Sequence, residues 1–259
     1  MKISVITLFP KMVNGFFAES IIKKAQDKKL VEIEIINLRD YAIDSYGTVD
    51  DRPYGGGAGM VLRPDVIWKA LNQLKVKSEE LKVSNENSKI LLTSAKGKTF
   101  DQQHAKIYSQ LDHLTIICGH YEGIDERVMD YIDEEISFGD FVMTGGEIAA
   151  AAIVDSVVRL IPGVLKKEKA VKKESFLYTS IDRLIEVVGE DQFLTELKKN
   201  KVKEIRLLEY PQYTRPEDFM NKKVPQILLS GNHEKVEEWQ IKKSYEETLK
   251  KRPDLLKFP

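Results

Sequence analysis

Leu114-Thr115-Ile116-Ile117-Cys118-Gly119-His120-Tyr121-Glu122-Gly123 sets the fold class, because a short apolar run here ends on a glycine-punctuated loop. The run reads as a strand. A second loop of the same kind, Ser137-Phe138-Gly139-Asp140-Phe141-Val142-Met143-Thr144-Gly145-Gly146-Glu147, follows another short strand. Two such loops at strand C-termini suit a ligand in the crevice of an α/β sheet. Backbone groups exposed by glycines can hydrogen-bond an adenine, and Phe138, Phe141 and Met143 offer apolar cover. The same residues also make ordinary tight turns, and the pattern alone leaves both readings open.

Further strands are expected at Ile3–Phe9, which Pro10 ends, at Val31–Asn37, where Val31, Ile33 and Ile35 alternate with Glu32 and Glu34, and at Ile90–Thr93. Between them, Phe16, Phe17, Ile21, Ile22 and Ala25 recur at helical spacing, and helices are expected from about Pro64 to Leu74 and at Asp101–Tyr108. Strands alternating with helices predict an α/β fold with a largely parallel sheet. Thr144 and Glu147 have the spacing of a capping box, which would start a helix running through Ile161 to the terminator Pro162-Gly163. Lys75–Ser88 is polar and reads as a surface excursion.

The composition then changes. Residues 166–173 hold five lysines and one glutamate, and Ile181, Leu184, Ile185 and Val188 return to helical spacing before a basic tract from Lys198 to Arg206. Proline-marked turns and a last helix from about Glu234 to Lys251 follow. This reading divides the chain into a main domain, 1–165, a linker with a helical insertion, 166–206, and a small helical domain, 207–259.

The 259 residues are 42% hydrophobic and 31% charged, an ordinary balance for a globular core. No apolar run reaches membrane-spanning length, and Met1-Lys2-Ile3-Ser4-Val5 reads as a strand rather than a signal peptide. A single cysteine, Cys118, forms no intramolecular disulfide and fits a reducing compartment, so the expected location is the cytoplasm. Residues 161–259 carry 21 Lys and Arg against 17 Asp and Glu, whereas residues 1–160 carry 19 against 24. That asymmetry lets the C-terminal part meet a polyanion, although a solvated lysine-rich surface has the same composition.

Lys96-Gly97-Lys98-Thr99 suggests a phosphate-binding loop, but that motif needs a glycine where this chain has Leu92, so the tract reads as a basic turn. Asp51-Arg52-Pro53-Tyr54-Gly55-Gly56-Gly57-Ala58-Gly59-Met60 reads either as a flexible surface loop or as a binding loop with charge and a stacking face. Arg159, four residues after Asp155, either forms a surface ion pair or points into a site from a helix that is apolar nearly all round. Glu174 reads by default as a solvated carboxylate. His104, His113, His120 and His233 show no metal-ligand spacing with one another or with Cys118, so no metal site is expected.

In these stretches, together with Ile124-Asp125-Glu126-Arg127, Arg159-Leu160-Ile161-Pro162-Gly163, Tyr210-Pro211-Gln212-Tyr213-Thr214-Arg215-Pro216 and Leu229-Ser230-Gly231-Asn232-His233, the sequence closely resembles the bacterial tRNA guanine-N1 methyltransferases of the knotted SPOUT class. The resemblance implies a parallel α/β fold with a C-terminal trefoil knot, S-adenosylmethionine as cofactor, tRNA as partner, and a homodimer with its active site at the subunit interface. It implies methyl transfer to nitrogen 1 of the guanosine 3′ of the anticodon, position 37, and a tRNA-binding role for the C-terminal helical domain. Carried over position by position, Thr93, Ser94, Gly119, Tyr121, Glu122, Gly123, Ser137, Phe138, Gly139, Phe141, Met143, Gly145 and Gly146 fall on cofactor-lining positions. Glu209 falls on an acid that approaches the cofactor from the partner chain. Arg159 and Glu174 fall on the catalytic pair, and Asp51, Arg52, Tyr54, Gly55, Gly57, Gly59 and Arg215 on tRNA-facing positions. Divalent metal, Mg2+, is associated with the family, and no ligand set for it is visible in the sequence.

The chain departs from the family pattern at His120, where arginine is usual, at Glu174, where aspartate is usual, and at 177–206, which has the length of an insertion. A non-catalytic RNA-binding relative of the same fold is the alternative function, and a nucleotide enzyme of the phosphate-loop type is a second rival.

Overall fold

The computed structural model describes residues 1–80, 87–166, 174–189 and 191–256. The expected linker residues 167–173 and part of the expected polar excursion, 81–86, lie outside the described residues. The chain forms two compact units, Met1–Lys166 and Lys167–Pro259.

The first unit is built on five parallel strands in the order β2-β1-β6-β5-β7. They are β1 (Lys2–Thr7), β2 (Glu32–Asn37), β5 (Ser88–Thr99), β6 (His113–Cys118) and β7 (Glu134–Ser137). A two-residue pair, β3 (Asp50–Asp51) and β4 (Val61–Leu62), brackets the glycine-rich loop. Helices α1 (Pro10–Phe17), α2 (Ser20–Asp27), α3 (Pro64–Glu80), α4 (Gln102–Tyr108) and α5 (Glu147–Val158) connect and cover the sheet. The apolar runs of the central strands follow from their position. Ile3, Leu91 and Ile116 point into one core while Ile6, Leu92 and Ile117 point into the other, all at most 3% exposed. A strand covered on both faces has no polar side to display. Each such side chain contributes about 1.5–3 kcal/mol through burial.

Three local expectations give way. Strand β5 does not stop at Thr93. It loops out, since both Thr93 and Lys98 pair with Ile136, and resumes to Thr99. Lys96–Thr99 is therefore no turn into a helix, and the phosphate-loop reading loses its geometry. Gly97 is needed there, because a Cβ would sit 2.4 Å from the Glu135 carbonyl carbon. Helix α3 runs on to Glu80, past the expected end at Leu74. Helix α5 starts at Glu147 with Gly146 as its N-cap and no side-chain cap, so Thr144 and Glu147 form no capping box.

The second unit pairs β8 (Leu177–Ser180) antiparallel with β9 (Glu204–Leu207). Helices α6 (Ile181–Val188) and α7 (Gln192–Lys199) lie between them in sequence. After a short hairpin, β10 (Asp218–Phe219) and β11 (Lys222–Lys223), come α8 (Gln226–Leu229) and the long α9 (His233–Lys251). Ile181, Leu184, Leu194, Leu197, Ile205 and Leu207 share one core with Tyr245 of α9. The tyrosine hydroxyl bonds Asp191 at 2.6 Å. The expected break between 206 and 207 therefore falls inside a strand, and residues 177–206 fold as part of the C-terminal unit rather than as a linker.

Candidate functional site

A cavity of the first unit lies where β5, β6 and β7 end. It measures about 280 Å³, and its walls are the β5 bulge, the loop after β6 and the loop between β7 and α5. Thr93, Ser94, Gly119, Tyr121, Glu122, Gly123, Ser137, Phe138, Phe141, Met143, Gly145 and Gly146 all line it. Lys96 and Glu135 line it too and were not anticipated. Lys96 comes to the site through the bulge, a tertiary feature, and Glu135 from β7. Gly139 lies just behind the wall, where its φ of +139° and a Cβ position 3.1 Å from the Phe141 ring suit glycine.

The two loops are fastened to each other through backbone. The Gly146 amide donates to the Gly119 carbonyl at 2.8 Å, and His120 bridges Gly145 in antiparallel fashion. Thr93 Oγ1 accepts from the Gly119 amide at 3.1 Å and donates to the Ile117 carbonyl at 3.2 Å. A Cβ on Gly146 would stand 1.8 Å from that hydroxyl oxygen, so only glycine lets the chain pass. Tyr121 adopts φ +58°, an uncommon conformation for a bulky residue that often marks ligand-binding loops. Beneath the loops Cys118 is buried, and burial, with Glu147 nearby, pushes its thiol well above the ordinary range. It is a packing residue rather than a nucleophile.

The glycine-rich loop meets the same cavity at its rim. The Glu122 amide donates to the Met60 carbonyl at 3.1 Å and the Leu62 amide to the Gly123 carbonyl at 3.0 Å. Gly59 packs so closely on the Glu122 side chain that a Cβ would lie 2.5 Å away. Asp51 pairs with Arg63, while Arg52, Gly55 and Gly57 are exposed and Tyr54 stands almost wholly in solvent. Arg159 is elsewhere. It is the half-buried C-cap of α5, about 18 Å along the helix from the cavity end at 1.5 Å per residue. Glu174, Glu209 and Arg215 belong to the second unit, where Ser175 Oγ accepts from the Glu209 amide at 3.0 Å and Arg215 precedes a cis proline. Among the described residues no three His, Cys, Asp or Glu side chains cluster in a way that could hold a metal ion.

A five-stranded parallel sheet with a glycine-pinched cavity at its strand C-termini defines a ligand-binding α/β protein. Residues 1–258 match the family described as tRNA (Guanine-1)-methyltransferase TrmD, and the chain belongs to that family. It is 47% identical over 256 residues to the tRNA (guanine-N(1)-)-methyltransferase of Dictyoglomus turgidum, covering 99% of this chain and 90% of that protein. The proteins of the same name from Clostridium beijerinckii and Bacillus cereus are 47% and 42% identical over 257 residues, covering 99% of this chain and 92% of each.

Proposed function

We propose that the chain methylates nitrogen 1 of guanosine 37 in tRNA, using S-adenosylmethionine, as a cytoplasmic homodimer whose second unit binds the tRNA. The observation that carries this reading is the pinched cavity. Loops 119–123 and 145–146 present backbone groups to a ligand edge, Phe138, Phe141 and Met143 supply apolar cover, and a side chain on Gly146 would close the passage. These features fit an adenosyl group. The bound cofactor supplies an electrophilic methyl group on a sulfonium. The protein's part is placement and proton control.

Guanine nitrogen 1 carries a proton at neutral pH, and the Glu174 carboxylate takes it. Negative charge then grows on the guanine carbonyl oxygen, where the Arg159 guanidinium stabilises the transition state more than the ground state. The names of the relatives favour this enzyme over a non-catalytic RNA-binding protein. The trefoil knot belongs to the proposal as well, supported by α5 starting between the ends of β5 and β6 although the strand before it lies at the sheet edge.

Incubation with labelled S-adenosylmethionine and tRNA should place the methyl group on nitrogen 1 of guanosine 37. Glu174→Gln should lower turnover by roughly 10²–10⁴-fold with cofactor affinity nearly intact, and Glu174→Asp should retain activity. Near-wild-type turnover by the Gln variant would show that another group takes the proton.

Two observations support the dimer. Met12 (54% exposed) and Phe16 (47%) stand one turn apart on α1, and Ile148 (63%) is exposed on α5, which α1 packs against, so this part of the unit offers apolar side chains to a partner. In addition, Arg159 stands at the opposite end of α5 from its own chain's cavity, as a residue serving a partner's site would. Phe16→Glu should convert a dimer into monomers in sedimentation at micromolar concentration, because it buries an unpaired charge in the interface. A wild-type chain that sediments as a monomer would refute the arrangement.

A further inference from the structure

Helix α5 opens on a glutamate that is 1% exposed. Glu147 Oε1 accepts from the Thr7 hydroxyl at 2.7 Å, whereas its Oε2 is buried and, among the described residues, has no hydrogen-bond partner. His120 Nδ1, on the loop after β6, is the other such atom in this region. Both face Gly145. A Cβ built there would lie 2.4 Å from Glu147 Oε2 and 2.5 Å from His120 Nδ1, so the two atoms are no more than about 5 Å apart. One bridging water, or a small rotation of the imidazole, spans that distance. A buried carboxylate oxygen and a buried ring nitrogen are each costly to leave unsatisfied, and here each is the obvious partner of the other.

The imidazole is already held in plane. Its ring sits edge-on to Phe9, at 4.9 Å between centroids, and to Tyr121, at 4.6 Å. Phe9 in turn is tied to the same carboxylate, because its amide donates at 2.8 Å to the Thr7 hydroxyl that bonds Glu147. Thr7, Phe9, His120 and Glu147 thus close a circuit joining the end of β1, the loop after β6 and the start of α5. We propose that His120 and Glu147 are a coupled positioning pair, in which Nδ1–H donates to Oε2 across Gly145, directly or through one water, and thereby fixes the spacing of the two cavity loops. Neither is a catalytic residue. The pair acts on affinity for the ligand those loops hold, and so rests on the cofactor reading above.

The test is a double-mutant cycle on the full-length protein, with S-adenosylmethionine as the calorimetric probe. Glu147→Gln and His120→Phe, the latter keeping an aromatic ring, should each weaken binding by about tenfold, and the double variant by about tenfold rather than a hundredfold. His120→Asn, whose amide nitrogen can take the place of Nδ1, should stay within about threefold of wild type. Turnover at saturating cofactor and tRNA should fall far less than affinity does, since the loss lies in placing the ligand. Additive single effects, wild-type affinity in Glu147→Gln, or no rescue by His120→Asn would each overturn the pairing. A wild-type protein that does not bind S-adenosylmethionine would instead remove the cofactor reading. The pairing would then be decided by the same cycle read on thermal midpoints, where additivity rejects it and non-additivity supports it.

Discussion

Mixing subunits that carry Arg159→Ala with subunits that carry Glu174→Ala is expected to restore about a quarter of wild-type methylation, although each homodimer alone is inactive. If Arg159 of one protomer faces Glu174 of the other, a mixed dimer has one site lacking both groups and one lacking neither. Random exchange makes about half of all dimers mixed, each with one of two sites intact. Exchange is achieved by unfolding and refolding the two variants together. Arg159 supports this arrangement by its place in the fold, since the helix that carries it meets its own cavity at the opposite end. If both residues serve one site from the same chain, every site in the mixture lacks one of them and nothing is regained. Verified exchange with no recovery would reject the cross-subunit pair.

A second large effect is expected from a single methyl group. Gly146→Ala should weaken S-adenosylmethionine binding at least about a hundredfold, which corresponds to about 2.7 kcal/mol. The new Cβ would lie 1.8 Å from Thr93 Oγ1 and 2.9 Å from the Gly119 amide nitrogen. Thr93 cannot swing aside cheaply, because its hydroxyl is committed to Ile117 and Gly119. The β7–α5 loop must therefore lift away from the loop after β6, and the cavity loses a wall. Gly145→Val should act similarly by driving into Glu147 and His120. Calorimetry on variants with wild-type circular dichroism checks both, and unchanged affinity in a folded Gly146→Ala protein would show that the ligand sits elsewhere.

What could be read from the sequence was whatever local chemistry controls. Strands β1 and β6 announce themselves because burial on both faces leaves mostly apolar residues in them, and the edge strand β2 by the alternation of its isoleucines with Glu32 and Glu34. The two glycine loops were legible for a similar reason, since close backbone approach leaves no alternative to glycine. Features held by distant partners were not legible. The tract after Thr93 is polar and contains a glycine, so it reads as a turn, yet β7 keeps it in the sheet beyond a bulge. Thr144 and Glu147 have capping-box spacing, but the glutamate is claimed by Thr7, and no local pattern reports that. Strand β8 is four residues long and its partner lies beyond two helices, so the 177–206 region showed its helical periodicity but not its sheet. The roles given to Arg159 and Glu174 came from family motifs alone, because an isolated arginine or glutamate has an ordinary surface explanation.

The bond between Thr7 and Glu147 spans 140 residues, and this has a consequence for biosynthesis. The ribosome delivers β1 first, with its buried hydroxyl ready, and α5 last among the elements of the first unit. Everything that packs between them has been made by the time the carboxylate emerges. Contacts so distant in sequence form slowly, because loop closure must be completed before they contribute. The floor of the cavity is therefore the last part of this unit to come together on the nascent chain. A polypeptide interrupted between residues 138 and 146 would carry all five strands and still lack the start of α5 that completes the site.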